Sequence, residues 1–198
     1  MNTPSTSAVS LSEIVAARSR LHGAITRTAC VESAALSELT GAQIFCKQEH
    51  LQRTGSFKER GARNALAQLT PEQAQAGVVA ASAGNHALGL AWHGRALGVP
   101  VTVVMPRFAP LTKVARCRQF GATVVLHGDS FDETRSEADR LASERLLTYV
   151  HPFDDPRVIA GQGTLAFEIL EQVPDAEAVL IPVGGGGLLA RREAGLCR

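Results

Sequence analysis

The sequence predicts an α/β protein: a mostly parallel sheet with helices on both faces. Three observations carry this. From Gly77 onward, apolar strand-like runs alternate strictly with helix-period segments, the pattern of repeated strand–helix–strand units. The run Val99-Pro100-Val101-Thr102-Val103-Val104-Met105 is apolar almost throughout, which suits a strand buried on both sides. Two strands end in unusual loops, Ser82-Ala83-Gly84-Asn85-His86 and Gly184-Gly185-Gly186-Gly187. Each precedes a predicted helix, at the carboxyl edge where such sheets bind ligands.

The elements follow in order. Ser10 and Glu13 have capping-box spacing, with Ile14, Val15 and Leu21 behind them, so a helix is expected to about residue 21. Residues 26–31 read as extended, 33–39 as a short helix closed by Gly41, and 43–48 as a strand centred on Ile44, Phe45 and Cys46. Ser56 and Glu59 repeat the capping-box spacing, predicting a helix from residue 56 to about 69. Thr70-Pro71 opens a further short turn or helix, with proline in its favoured first position. Strands are then expected at 78–81, 100–105, 123–126, 148–150 and 178–183. Helices are expected at 85–97, 111–120, 131–146 and 156–172, the last capped by Asp155.

Composition narrows the function classes. With 45% hydrophobic and 20% charged residues in 198, the chain reads as a soluble globular protein. A net charge of +1 gives no electrostatic case for nucleic acid or an anionic membrane. The apolar runs are too short to span a bilayer, and the first ten residues hold no signal-peptide core. Cys30, Cys46, Cys117 and Cys197 form no C-x-x-C pair. They read as reduced thiols of a cytoplasmic protein, with neither a disulfide framework nor a metal site.

The chemistry-bearing residues sit at three junctions. Lys58 falls in the first turn of its helix, where the dipole disfavours another cation. That placement suits an amine kept neutral, as a Schiff-base nucleophile must be; a solvated lysine offset by Glu59 is the alternative. Four consecutive glycines between a strand and a helix let N–H groups converge on one anion, naturally a phosphate. A plain tight turn is the other reading, since the P-loop ending and the final glycine of G-x-G-x-x-G are both missing. In the 82–86 loop, backbone N–H groups and the Ser82 hydroxyl suit a carboxylate, and Asn85 suits a phenolate oxygen. Ser82 and Asn85 could instead serve only as helix caps, and His86 as a core residue. Together an amine, a carboxylate loop and a phosphate loop are the parts of a pyridoxal-phosphate site acting on an amino acid. A phosphate- or nucleotide-binding α/β protein without Schiff-base chemistry is the competing reading.

Ser56-Phe57-Lys58-Glu59-Arg60-Gly61-Ala62, the 82–86 loop and Gly184-Gly185-Gly186-Gly187-Leu188 resemble three signatures of threonine dehydratases, or threonine ammonia-lyases, which are fold-type II pyridoxal-phosphate enzymes. His151-Pro152-Phe153-Asp154-Asp155-Pro156, with Ile159-Ala160-Gly161-Gln162-Gly163-Thr164, is similar to a fourth block, and Thr26-Arg27-Thr28 to a short one near the start. The likeness runs from about residue 12 to 190. It implies a two-lobed, three-layer α/β/α architecture of the tryptophan synthase β type. Residues 1–51 would begin the large lobe, 52–147 form the small lobe, and 148–198 start the C-terminal part of the large lobe. By the same resemblance, Lys58 would hold pyridoxal 5′-phosphate as a Schiff base and Phe57 would pack beside its ring. Asn85 would bond its 3′-oxygen, and Gly184, Gly185, Gly186, Gly187 and Leu188 would bind its phosphate. Ser82, Ala83, Gly84 and His86 would frame the substrate carboxylate.

The implied reaction is β-elimination from threonine or serine to a 2-oxo acid and ammonia. The implied partners are the amino-acid substrate and, as in relatives, further copies of the chain. Serine racemases resemble the family but place a second serine, an acid/base, where this chain has Ala83; elimination is therefore expected over racemisation. The sequence departs from the pattern after Ala190, where Arg191-Arg192 replace small and apolar residues. The large lobe is expected to be incomplete, without the group that faces the pyridine nitrogen. That suggests a truncated or frame-shifted product, with an exposed helix end as the alternative; a non-catalytic fragment is the competing reading of its function.

Overall fold

Ser10 caps helix α1 (Leu11–Leu21) as its spacing predicts: its hydroxyl accepts from the Glu13 N–H, and the Glu13 carboxylate takes the Ser10 N–H. The computed structural model describes residues 9–189. After α1, strands β1 (Cys30–Glu32) and β2 (Phe45–Lys47) pair antiparallel around helix α2 (Ala34–Thr40), which Gly41 closes. Both strands are shorter than the extended runs expected there.

Helix α3 (Lys58–Leu66) precedes the short α4 (Pro71–Ala76), which Thr70 caps. The alternation then forms as expected. It runs β3 (Val78–Ala81), α5 (Asn85–Leu97), β4 (Val101–Met105), α6 (Leu111–Gln119), β5 (Thr123–Leu126), α7 (Phe131–Glu144), β6 (Thr148–Tyr149) and α8 (Pro156–Gln172). Asp155 caps α8 by accepting from the Arg157 N–H. These four strands make one parallel sheet in the order β5-β4-β3-β6. The edge strand β6, just past the boundary expected at residue 147, pairs with β3 through Thr148 and Tyr149.

Helices cover both faces. Val78, Ala80, Val101 and Val103 pack with residues of α3, α5, α6 and α8. On the opposite face Val79, Ala81 and Val104 meet Ala138 and Leu141 of α7. Every residue of β3 is 0% exposed, which is why this strand reads as purely apolar. No helix among the described residues is long and apolar enough to cross a membrane.

Three expectations fail. Helix α3 does not start with a Ser56–Glu59 capping box: Phe57 precedes it with no side-chain cap, because Glu59 turns into the protein interior. It also ends at Leu66, short of residue 69. The strand expected at 178–183 does not form. Val179, Leu180 and Val183 are 52%, 88% and 61% exposed and pair with no strand among the described residues. Apolar patterning alone does not make a strand; its N–H and C=O groups need a ladder to join. After the glycines the described chain closes a turn, with the Leu189 N–H on the Gly186 carbonyl at 2.9 Å. The remainder of the helix expected there, and Arg191-Arg192, lie outside the described residues.

Candidate active site

Glycines bring α3 into contact with its neighbours and so set where Lys58 stands. A β-carbon on Gly161 of α8 would lie 2.6 Å from the Arg60 carbonyl and 2.7 Å from the Gly61 Cα. One on Gly89 of α5 would lie 3.2 Å from the Lys58 carbonyl. Only helices stripped of side chains at the crossing approach this closely. The helix is then tied by Arg60, whose guanidinium is buried. It donates to both oxygens of Glu49 at 2.8 Å and to Glu168 at 2.7 and 3.0 Å. Glu168 also accepts from Lys47 at 2.6 Å. Burial works against the Arg60 charge, but the bonds to Glu49 and Glu168 outweigh it and hold its pKa above the ordinary arginine value. This cluster joins the β2 end, α3 and α8 just behind Lys58.

The Lys58 amine is half-buried and donates to the Pro152 carbonyl at 2.8 Å, with the Phe57 ring centroid 5.3 Å away. Burial pushes its pKa below the ordinary lysine range. Lys47 and Lys113 complete the lysines of the chain. Lys47 is paired with Glu168, and Lys113 donates to Asn85 Oδ1 at 2.7 Å. Lys58 has no carboxylate partner among the described residues, so little opposes its loss of a proton.

In the 82–86 loop the Ser82 N–H extends the sheet to the Val104 carbonyl, and the Ser82 hydroxyl accepts from the Gly84 N–H at 3.3 Å. Gly84 precedes α5 with no side-chain cap. The N–H groups of Asn85 and His86 therefore face outward with no acceptor among the described residues, the arrangement that favours an anion at a helix start. The His86 ring turns the other way. It is 2% exposed, and its Nε2–H donates to the Val150 carbonyl at 3.2 Å. Burial pushes its pKa down to about 4. Of the residues expected to frame a carboxylate, His86 offers its backbone N–H alone.

Gly186 has φ +81°, a conformation that favours glycine. Gly185 lies against the Phe153 ring, leaving no room there for a β-carbon. A β-carbon on Gly187 would meet the Phe153 carbonyl at 2.7 Å. Gly184 meets nothing within 4 Å, and Leu188 is half-buried beside the turn.

The segment 150–153 is thus where the pieces meet. Val150 receives His86, Pro152 receives Lys58, and Phe153 receives the glycine turn. Sequence reasoning placed this block in a motif but gave it no role. Two of its contacts use backbone carbonyls, which leave no mark on residue type. Among the described residues no cluster of His, Cys, Asp or Glu could hold a metal ion.

The sequence model of the family described as pyridoxal-phosphate dependent enzymes matches residues 21–191. An L-threonine ammonia-lyase of Thermotoga maritima is 50% identical over 182 residues, covering 92% of this chain and 45% of that protein. The solved serine racemase of Dictyostelium discoideum superposes with a TM-score of 0.87 at 39% identity, covering 92% of this chain and 60% of that one. The processed form of threonine deaminase isoform 2 from Solanum lycopersicum gives 0.83 at 41% identity, covering 90% and 49%. The chain spans about half the length of the curated relatives it matches. The match takes in most of the chain and its blocks meet at one place in the fold: the chain belongs to the family of pyridoxal-phosphate-dependent enzymes.

Proposed function

We propose that this chain carries the cofactor- and carboxylate-binding parts of an ammonia-lyase. Its reaction is β-elimination from threonine, and from serine, to a 2-oxo acid and ammonia. The observation that carries the reading is the Lys58 amine: sheltered, unpaired with any carboxylate among the described residues, and lowered in pKa by burial.

The donor set fits pyridoxal phosphate. Lys58 suits its aldehyde, Phe57 lies beside the amine, and Asn85 stands at the start of α5 to meet a ring oxygen. The N–H groups of Gly184, Gly185, Gly186, Gly187 and Leu188 have no backbone acceptor among the described residues and suit its phosphate. When bound, the cofactor supplies an electron sink for the negative charge that develops at the substrate α-carbon.

The rest is work for the chain's own groups. The N–H groups at the start of α5, with the Ser82 hydroxyl, bind the substrate carboxylate beside Gly84. The Lys58 amine, whose pKa burial lowers from the ordinary lysine value, takes the α-proton at Nζ. The Pro152 carbonyl accepts one of its N–H bonds and so aims the lone pair. Phe57, whose ring centroid lies 5.3 Å from that amine, limits water on its side. Ala83 has no group that could return a proton from the opposite side, which favours elimination over the racemisation carried out by a relative of similar fold.

The test is release of ammonia and 2-oxo acid from L-threonine by the pyridoxal-phosphate-loaded protein, with Lys58→Ala beside it. The expected result is release by the wild type and none by the variant. Equal rates for both would remove Lys58 from the chemistry. Formation of D-serine from L-serine without ammonia would favour racemisation instead.

A further inference from the structure

Lys58 and the 82–86 loop lie at the starts of α3 and α5, and a buried polar contact joins these two helices. Glu59, the residue after Lys58, accepts from His93 Nε2 of α5 at 3.2 Å and, with its other oxygen, from the Thr54 N–H. Glu59, His93 and Thr54 are 0%, 2% and 1% exposed. With no side-chain cap at Phe57, the Glu59 carboxylate closes the 54–58 loop from inside, in the place a cap would serve.

Burial works against the Glu59 charge, but its bonds to His93 and Thr54 outweigh it and keep the carboxyl below its ordinary pKa. Burial keeps His93 below its own. The pair is therefore a carboxylate and a neutral imidazole that donates to it. Arg63 on α3 and Arg53 in the loop before Thr54 are the other charges that face His93. A buried pair of this kind is weak evidence for stability, since apolar side chains of similar volume often serve as well; what it fixes is direction, tying Thr54 and His93 to one carboxylate.

We propose that Glu59 and His93 are positioning residues for Lys58, holding the 54–58 loop so that the amine stays sheltered at the Pro152 carbonyl. The inference rests on the reading of Lys58 as the site's amine. It gives the residue beside that lysine, and a histidine on the neighbouring helix, a role in the amine's reactivity.

The experiment measures the pH dependence of Lys58 modification by an amine-reactive reagent, read by peptide mass spectrometry, together with thermal melting. It compares wild type, His93→Gln, His93→Leu and the double variant Glu59→Leu/His93→Leu. His93→Gln keeps a donor and should retain the low labelling midpoint. His93→Leu should raise the midpoint by about one pH unit, a tenfold loss of neutral amine at a given pH. The double variant should recover melting temperature lost by His93→Leu yet keep the raised midpoint, because Thr54 no longer has its acceptor. A wild-type midpoint in the folded double variant, or in His93→Leu should the double variant not fold, overturns the proposal. Threonine turnover is read separately. A wild type that releases no ammonia while its midpoint follows the pair refutes the lyase reading and supports this one.

Discussion

Residues 56–62 and residues 178–187 both hold pronounced motifs, and they end in opposite physical states. The first is enclosed by α5 and α8, with Glu59, Arg60, Gly61 and Ala62 all buried and the Glu59 and Arg60 side chains held by hydrogen-bonding partners, while Lys58 keeps only a carbonyl. The second lies mostly exposed and joins no sheet among the described residues. Its firm contacts are those of Gly185 and Gly187 with Phe153. The difference shows what a motif needs to become a site. Lys58 acquires a lowered pKa because burial beside the Pro152 carbonyl and the Phe57 ring takes water from its amine. The glycine turn borrows its position from a single phenylalanine.

The contrast breaks most severely at Arg60. Arg60→Met would leave Glu49 and Glu168 without their shared cation, at a cost of about 3–5 kcal/mol by urea unfolding. A loss below about 1 kcal/mol would mean that this cluster does not hold α3.

Next is His86, whose folded pKa is pushed down to about 4 from an ordinary value near 6.5. Between these the unfolded chain binds a proton that the folded chain refuses. The contribution is therefore whole above about pH 6.5 and lost as pH falls toward 4, on the order of 3 kcal/mol. His93 and His151, also lowered by burial, add to the slope in that window. The informative quantity is thus the difference between wild type and His86→Gln, which should lack this share of the slope. Glu59 and Glu168 act lower, their contributions fading only below about pH 4.3. Matching slopes for the two proteins would contradict a neutral, buried His86.

The smallest effects sharpen the comparison between the two regions. Gly161→Ala would force a methyl onto the backbone of Arg60 and Gly61 and should cost about 1–3 kcal/mol. Gly184→Ala meets nothing and should stay within about 0.5 kcal/mol. Thermal melts in the reverse order would mean that the enclosed and exposed regions have been exchanged.

Much of this was legible locally. The Ser10 and Asp155 caps, the closing Gly41 and the strand–helix alternation depend on neighbours in sequence, and they formed as expected. Ser56 and Glu59 had the right spacing for a cap, but Glu59 found stronger partners in Thr54 and His93, one of them 34 residues away. The 178–183 run had a strand's residues without a strand's neighbour. The low pKa expected of Lys58 from the helix dipole arises from burial beside Pro152. That contact spans 94 positions and ends on a backbone carbonyl, so no residue pattern announces it.

The central claim is that Lys58 is the amine that carries the cofactor. It is tested most directly by incubation with pyridoxal phosphate, borohydride reduction and peptide mapping. The predicted result is a pyridoxyl label on Lys58, with Lys47 held by Glu168 and Lys113 held by Asn85 unlabelled. A label on Lys47 or Lys113 in its place, or spread evenly over all three, would contradict it.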